Sequence, residues 1–84
     1  MSKIKTEIQA NICYTPLVYS RVNKKLGTSM SNSEIEILIA DLLSETALVD
    51  FVKRGKNFYI SNSQRGIRLT VNSYTNRLIT VDKL

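Results

Sequence analysis

Histidine and tryptophan are absent from this 84-residue chain, which also has a single cysteine, Cys13, and a single proline, Pro16. Without histidine there is no His-based catalytic triad or proton shuttle, and a lone thiol forms neither an intrachain disulfide nor a Cys/His metal cluster. The longest apolar run is too short to cross a bilayer, and the first residues lack the apolar segment of a signal peptide. We therefore expect a cytoplasmic protein with no metal, no cofactor and no membrane contact.

The composition is that of a small globular domain. Hydrophobic residues make up 43% of the chain and charged residues 23%, with only three glycines, which excludes a disordered or collagen-like protein. A chain of this length forms one core and buries roughly 60–65% of the surface that its unfolded form exposes. Because so small a core gives marginal stability, a homodimer that covers more apolar surface is one alternative that the sequence leaves open.

Residues 1–47 have the spacing of helices. An isoleucine at every fourth position from Ile4 predicts a first short helix, and Cys13 after it is interpreted as a small core residue. Thr15 and the proline that follows predict the start of a second helix, and Gly27 its end. A capping box of serine and glutamate at positions 31 and 34 predicts a third. The apolar faces of the second and third helices are predicted to contain Leu17, Val18, Val22, Leu26, Ile35, Leu38, Ile39, Leu42 and Leu43.

From Val49 onward apolar and polar residues alternate, as they do in half-buried strands. Turn residues around positions 54–57, 62–66 and 73–76 separate four such runs, so neighbouring strands must be antiparallel. We predict a single α+β domain over residues 1–84, in which the helical half (1–47) packs on one face of a four-stranded antiparallel β-meander (49–82). The inward-facing residues are predicted to be Phe51, Phe58, Ile60, Ile67, Leu69, Val71, Ile79 and Val81.

The same alternation sends polar residues to the other face of the sheet. Tyr59, Arg68 and Thr70 would lie near one another across adjacent strands, and Leu78 would also face outward. Because aromatic rings stack on bases and guanidinium groups bind phosphate, this face predicts a surface for RNA or other single-stranded nucleic acid. The alternative interpretation is an ordinary solvated sheet face. The candidate nucleic-acid-binding residues are Lys53, Arg54, Lys56, Tyr59, Arg65, Arg68, Thr70 and Arg77.

Charge is distributed in blocks along the chain. Residues 1–30 carry a net charge of +4, residues 31–50 carry −5 and residues 51–84 carry +6, which together give the total of +5. Either the acidic helix offsets the basic sheet within the fold, or the surface is bipolar and suits partners of both signs. In the second case the protein could be a phage or mobile-element inhibitor of the anti-CRISPR type, which binds a nucleic-acid-binding host protein by mimicking phosphate. Its partner-binding residues would be Glu34, Glu36, Asp41 and Glu45.

Two stretches resemble the signature of an uncharacterised family of short bacterial proteins. Residues 53–60 match its G-K-N-aromatic-Tyr strand, and residues 67–80 match its T-V-N…I-T hairpin. Residues 13–15 and 21–27 fit the helical half of that family. The resemblance covers most of the chain and implies no particular function.

A looser likeness is to the RelE and colicin-type ribonucleases, which also place helices before an antiparallel meander. This likeness implies an RNA-cleaving toxin that needs no metal, in which Tyr59 or Lys56 assists proton transfer and Arg68 or Arg77 neutralises charge. The sequence leaves open whether the protein is an enzyme and which residues would be catalytic, because no side chain has an unperturbed pKa near neutrality.

Overall fold

Three helices precede four strands in the computed structural model, which describes residues 3–84. The strands pair antiparallel in chain order, so the predicted α+β fold with N-terminal helices and a meander is confirmed. A short 3₁₀ turn, Leu48–Asp50, leads from the helices into the sheet. The helices are α1 (Ile4–Asn11), α2 (Pro16–Leu26) and α3 (Asn32–Glu45), and the strands are β1 (Phe51–Arg54), β2 (Asn57–Asn62), β3 (Ile67–Asn72) and β4 (Leu78–Lys83).

The helix ends follow from local sequence chemistry. Pro16 is the first residue of α2, and Gly27 ends that helix in the left-handed region at φ 68°. At the start of α3, Ser31 Oγ accepts the Glu34 N–H while the Glu34 carboxylate accepts the Ser31 N–H, which forms the predicted capping box. The hydrogen bond from the Ser31 backbone lowers the pKa of Glu34, because it favours the charged carboxylate. Thr15 occupies the N-cap position of α2, although its side chain makes no capping hydrogen bond.

The core lies between the helices and the inner face of the sheet. Leu17, which we expected beside the apolar face of α2, is 73% exposed, so that face is narrower than predicted. Leu38 lies at the edge of the core and is only partly buried. The most fully buried residues are Ile8, Val18, Val22, Ile35, Ile39, Leu42, Leu43, Ile60, Leu69, Val71, Leu78 and Val81.

β4 departs from simple alternation because it contains a bulge. Its register with β3 pairs Thr70 with Thr80 but Val71 with Leu78, which leaves Ile79 as an extra residue. Such an insertion moves the residues on one side of it to the opposite face of the strand. Leu78 therefore points inward and is buried, whereas Ile79 is only partly buried. The prediction that Ile79 faces the core and Leu78 faces solvent is wrong for this reason.

The free edge of β4 is covered by α2 and by the segment that comes just before this helix. Cys13 forms a parallel bridge with Arg77, and its carbonyl accepts the Leu78 N–H at 3.0 Å. Further along, the Arg21 guanidinium donates to the Ile79 carbonyl at 2.9 Å. Cys13 is exposed, so its interpretation as a core residue is wrong: its backbone pairs with the strand edge and its side chain stays outside the core.

A buried polar link joins α3 to the turn between β2 and β3. The Asn62 amide donates to the Thr46 hydroxyl at 3.1 Å, and that hydroxyl donates to the Leu42 carbonyl at 2.6 Å. The side-chain oxygen of Asn62, Oδ1, also accepts a hydrogen bond from the Arg65 backbone N–H at 2.9 Å. Because a buried polar group without a partner is costly, this link holds the end of α3 against the turn.

Candidate nucleic-acid interface

The outer face of the sheet, which the helices leave uncovered, carries a shallow groove of about 410 Å³. Val52 and Arg54 of β1, Tyr59 and Ser61 of β2 and Arg68 of β3 line it. The register accounts for this set, since Val52 lies opposite Tyr59 and Ser61 lies opposite Arg68. The period of two then places all five on one face. The structure thus brings Tyr59 and Arg68 together, as the alternation predicts.

Arg68 is exposed and has no carboxylate partner within residues 3–84. Its Nε donates to Ser61 Oγ at 3.3 Å. Asp82 lies opposite Arg68 on β4, but its carboxylate accepts a hydrogen bond from Lys25 Nζ at 2.9 Å. Because Asp82 pairs with Lys25 on α2 and not with Arg68, the guanidinium of Arg68 remains available to an external anion such as phosphate.

Thr70 lies on the same face, opposite Tyr59 on one side and Thr80 on the other. Only 6% of it is exposed, so it forms part of the floor of the sheet rather than a contact surface. This burial argues against a direct contact between Thr70 and a ligand.

Four other basic candidates, Lys53, Lys56, Arg65 and Arg77, lie outside the groove. Lys53 is on the helix-facing side of β1, where its Nζ lies 6.0 Å from the centroid of the Tyr74 ring. Lys56 lies in the β1–β2 turn and Arg77 just before β4, and both are exposed. These two turns meet at one end of the sheet, because the Lys56 carbonyl accepts the Ser73 N–H at 2.8 Å. Lys56 and Arg77 therefore form a basic rim at that end.

Arg65 lies at the opposite end of the sheet and is already paired. Its Nε and Nη2 donate to the two carboxylate oxygens of Glu45 at 2.9 and 2.7 Å. Hydrogen bonding to Glu45 raises the pKa of Arg65. Arg65 is a candidate nucleic-acid-binding residue and Glu45 is a candidate partner-binding residue on α3, so this ion pair engages one residue of each candidate set.

The remaining acidic candidates on α3 do not form one surface. Glu34 belongs to the capping box, while Glu36 is turned toward α2 and accepts a hydrogen bond from the Tyr19 hydroxyl at 2.7 Å. That hydrogen bond raises the pKa of Tyr19. Asp41 is exposed, and in the described part of the chain it makes no hydrogen bond or ion pair. Only Ile35 separates Glu34 from Glu36, and residues two positions apart on a helix point in different directions.

Val52 and Ser61 line the groove but are not among the candidate nucleic-acid-binding residues, although alternation already places Ser61 on the same face as Tyr59. Alternation from the buried Phe51 places Val52 outward, and this is the signal that could have identified it. The Val52 side chain has no polar or aromatic group, so its residue type alone gives no reason to assign it to a binding site. Its position opposite Tyr59 makes it an apolar wall of the groove. Over residues 3–84, no three metal-ligating side chains come together, and no helix has both the length and the apolar character needed to span a bilayer.

A protein-family model described as "Protein of unknown function (DUF3781)" matches residues 6–82. The match includes both strand motifs, residues 53–60 and 67–80, and the helical stretch 21–27. No curated protein and no solved structure matches the chain. These comparisons give no support to the looser likeness to RelE and colicin-type ribonucleases.

Proposed function

The chain belongs to this family of unknown function, and we propose from the site itself that it binds single-stranded nucleic acid on the outer face of its sheet. The observation that carries the proposal is that one groove contains both an aromatic ring, Tyr59, and a guanidinium that has no ion-pair partner within residues 3–84, Arg68. Stacking on an aromatic side chain contributes about 1–3 kcal/mol per base, and contacts to phosphate add affinity for any sequence.

The charge around the groove supports this proposal. Among the residues that the structure describes, no acidic side chain lines the groove, and the chain has a net charge of +5. Arg54 in the groove and the basic rim of Lys56 and Arg77 would attract the backbone of a strand toward one end of the sheet. A broad sheet face with a partly exposed ring suits an unpaired base, because the bases of a duplex are stacked on one another and cannot reach the ring.

The arrangement of α3 favours the sheet face over the inhibitor alternative. Glu34, Glu36 and Glu45 each accept hydrogen bonds from groups within the fold. A helix that mimics phosphate on a basic host protein needs its carboxylates free, and only Asp41 meets that need in the described part of the chain. The proposal places the protein in the cytoplasm, where the exposed Cys13 would stay reduced.

The experiment is a fluorescence-anisotropy titration of labelled single-stranded RNA and DNA, with a duplex as the comparison, over a series of salt concentrations. We expect the single strands to bind more tightly than the duplex, with an affinity that falls as salt rises. Equal affinity for both forms, or no binding at low salt, would refute the proposal. After the titration the RNA is also examined for 2′,3′-cyclic phosphate ends. Such ends would show that the protein cleaves the RNA, which binding alone does not require.

A further inference from the structure

We propose that β1 is the edge on which a second copy of this chain pairs, antiparallel and centred on Val52. Within the described residues 3–84, β1 has a neighbouring strand on one side only, whereas Cys13 and Arg21 occupy the other edge of the sheet at β4. An unpaired strand edge presents backbone N–H and C=O groups that another strand can bind. This edge shares Val52 and Arg54 with the groove, but the proposal that two copies pair there does not depend on nucleic-acid binding.

The residues around this edge are apolar and exposed. Val49 is 81% exposed, and Leu48 and Val52 are each 43% exposed, within five consecutive residues. Exposed apolar side chains next to an open strand edge are typical of a surface that another chain covers. A core as small as this one also gains from the burial of further apolar area.

The backbone of β1 is suited to pairing about Val52. Gly55 and Lys56 form the two-residue turn between β1 and β2, and Gly55 has φ 61°, as the first residue of a type II′ turn requires. Arg54 and Asn57 are therefore the pair of residues that closes this hairpin. Alternation then directs the backbone groups of Phe51 and Lys53 away from β2. The Phe51 N–H already donates to the Leu48 carbonyl. In the Val52-centred pairing, the Lys53 N–H of each copy donates to the Phe51 carbonyl of the other.

The charges of this segment are self-complementary in the same register. In this register Phe51 lies opposite Lys53 of the other copy, and Asp50, the last residue of the 3₁₀ turn before β1, comes next to Arg54 of the other copy. Neither Asp50 nor Arg54 takes part in an ion pair within residues 3–84, so both are available for this contact. A register centred one residue later would place Lys53 opposite itself, which is unfavourable. Charge therefore favours the register centred on Val52 over the one centred on Lys53.

Pairing about a two-fold axis would produce an eight-stranded sheet in which the two grooves open on the same side. The two Tyr59 side chains would be separated by three strand spacings, about 14 Å. A single strand that crosses the seam could then reach both grooves, provided that the proposed function of the groove holds.

Sedimentation velocity at several protein concentrations, without nucleic acid, tests the pairing. We expect a reversible monomer–dimer equilibrium. Arg54→Asp or Asp50→Arg alone should weaken the dimer about tenfold, because each change creates two repulsive pairs. The double variant Asp50→Arg/Arg54→Asp should restore the dimer, since it exchanges the partners of both pairs. Both residues are exposed, and circular dichroism checks that each variant remains folded.

Two results would overturn the pairing. One is a wild-type protein that stays monomeric at every concentration. The other is a double variant that is as weak as the single variants, which would show that Asp50 and Arg54 do not face each other. Since nucleic acid is absent from the experiment, either result leaves the proposed function of the groove untouched.

Discussion

Arg65 and Glu45 form a two-point ion pair, with N–O distances of 2.9 and 2.7 Å, that joins the β2–β3 turn to the last residue of α3. Arg68 is only three residues away along the chain, yet it has no carboxylate partner in the described residues. These two arginines therefore provide a matched comparison, because the loss of either removes the same charge from the sheet half of the chain.

The first prediction concerns the position of the positive charge. Arg68→Ala should weaken binding of single-stranded RNA and lower the slope of log affinity against log salt by about 1, because one phosphate contact is lost. Arg65→Ala should leave both quantities near wild type, since Glu45 already occupies that guanidinium. Equal losses in the two variants, measured by anisotropy, would mean that net charge alone drives binding and that the groove is not the site.

The second prediction concerns stacking in the groove. Tyr59→Ala should weaken binding of a single strand by about 5- to 150-fold, which corresponds to the loss of one stacked base. Tyr59→Phe should remain close to wild type, because the ring is kept. Tyr74→Ala is the control, since that ring is 76% exposed and lies near Lys53, away from the groove. A Tyr74→Ala defect as large as that of Tyr59→Ala would contradict the assignment.

The third prediction concerns the buried polar link between Asn62 and Thr46. Asn62→Ala leaves the Arg65 N–H without its acceptor and the Thr46 hydroxyl without its donor, so the free energy of unfolding should fall by about 1–3 kcal/mol. Urea denaturation measures this change. Ser63→Ala, at an exposed turn position next in the chain, should have little effect. A neutral Asn62→Ala variant would show that the link does not stabilise the end of α3.

The fourth prediction is a pH dependence of stability that originates at Tyr14. Burial, together with the nearby charge of Glu36, raises the pKa of Tyr14 from 10.0 to about 12. Between these values the unfolded chain releases a proton that the folded chain keeps, so the free energy of unfolding should fall as pH rises from 10 to about 12. Urea denaturation at several alkaline pH values measures this fall.

Tyr14→Phe is the control for that pH dependence. Its ring can still stack on Tyr19, whose centroid lies 5.6 Å away in the wild type, while the titrating hydroxyl is gone. The fall in unfolding free energy should therefore become smaller in this variant. It should not disappear, because hydrogen bonding to Glu36 also raises the pKa of Tyr19. An identical pH profile in the two proteins would exclude Tyr14 as the source.

Local chemistry explains what could be predicted from the sequence. Pro16, Gly27 and the capping box of Ser31 and Glu34 act over three or four residues, so the helix limits are readable from the chain itself. Alternation from Phe51 likewise identifies the outer sheet face and places Tyr59 beside Arg68. The family assignment rested on contiguous motifs, and the prediction of an uncharacterised family is confirmed.

What could not be predicted depends on contacts between distant parts of the chain. The bulge at Ile79 moves Leu78 into the core, and only the pairing with β3 reveals it. Cys13 is exposed because its backbone meets the start of β4, 64 residues further along at Arg77. The ion pair of Arg65 and Glu45 likewise depends on where the β2–β3 turn lies relative to α3, which periodicity does not specify.

The position of a bound strand on the protein tests the central claim most directly. Backbone amide chemical shifts are followed by NMR while a short single-stranded RNA is added to the wild-type protein. We predict that the largest changes fall on the outer sheet face, at Val52, Tyr59, Ser61 and Arg68, and saturate together. Changes confined to α3 around Asp41, or no changes at low salt, would contradict the account.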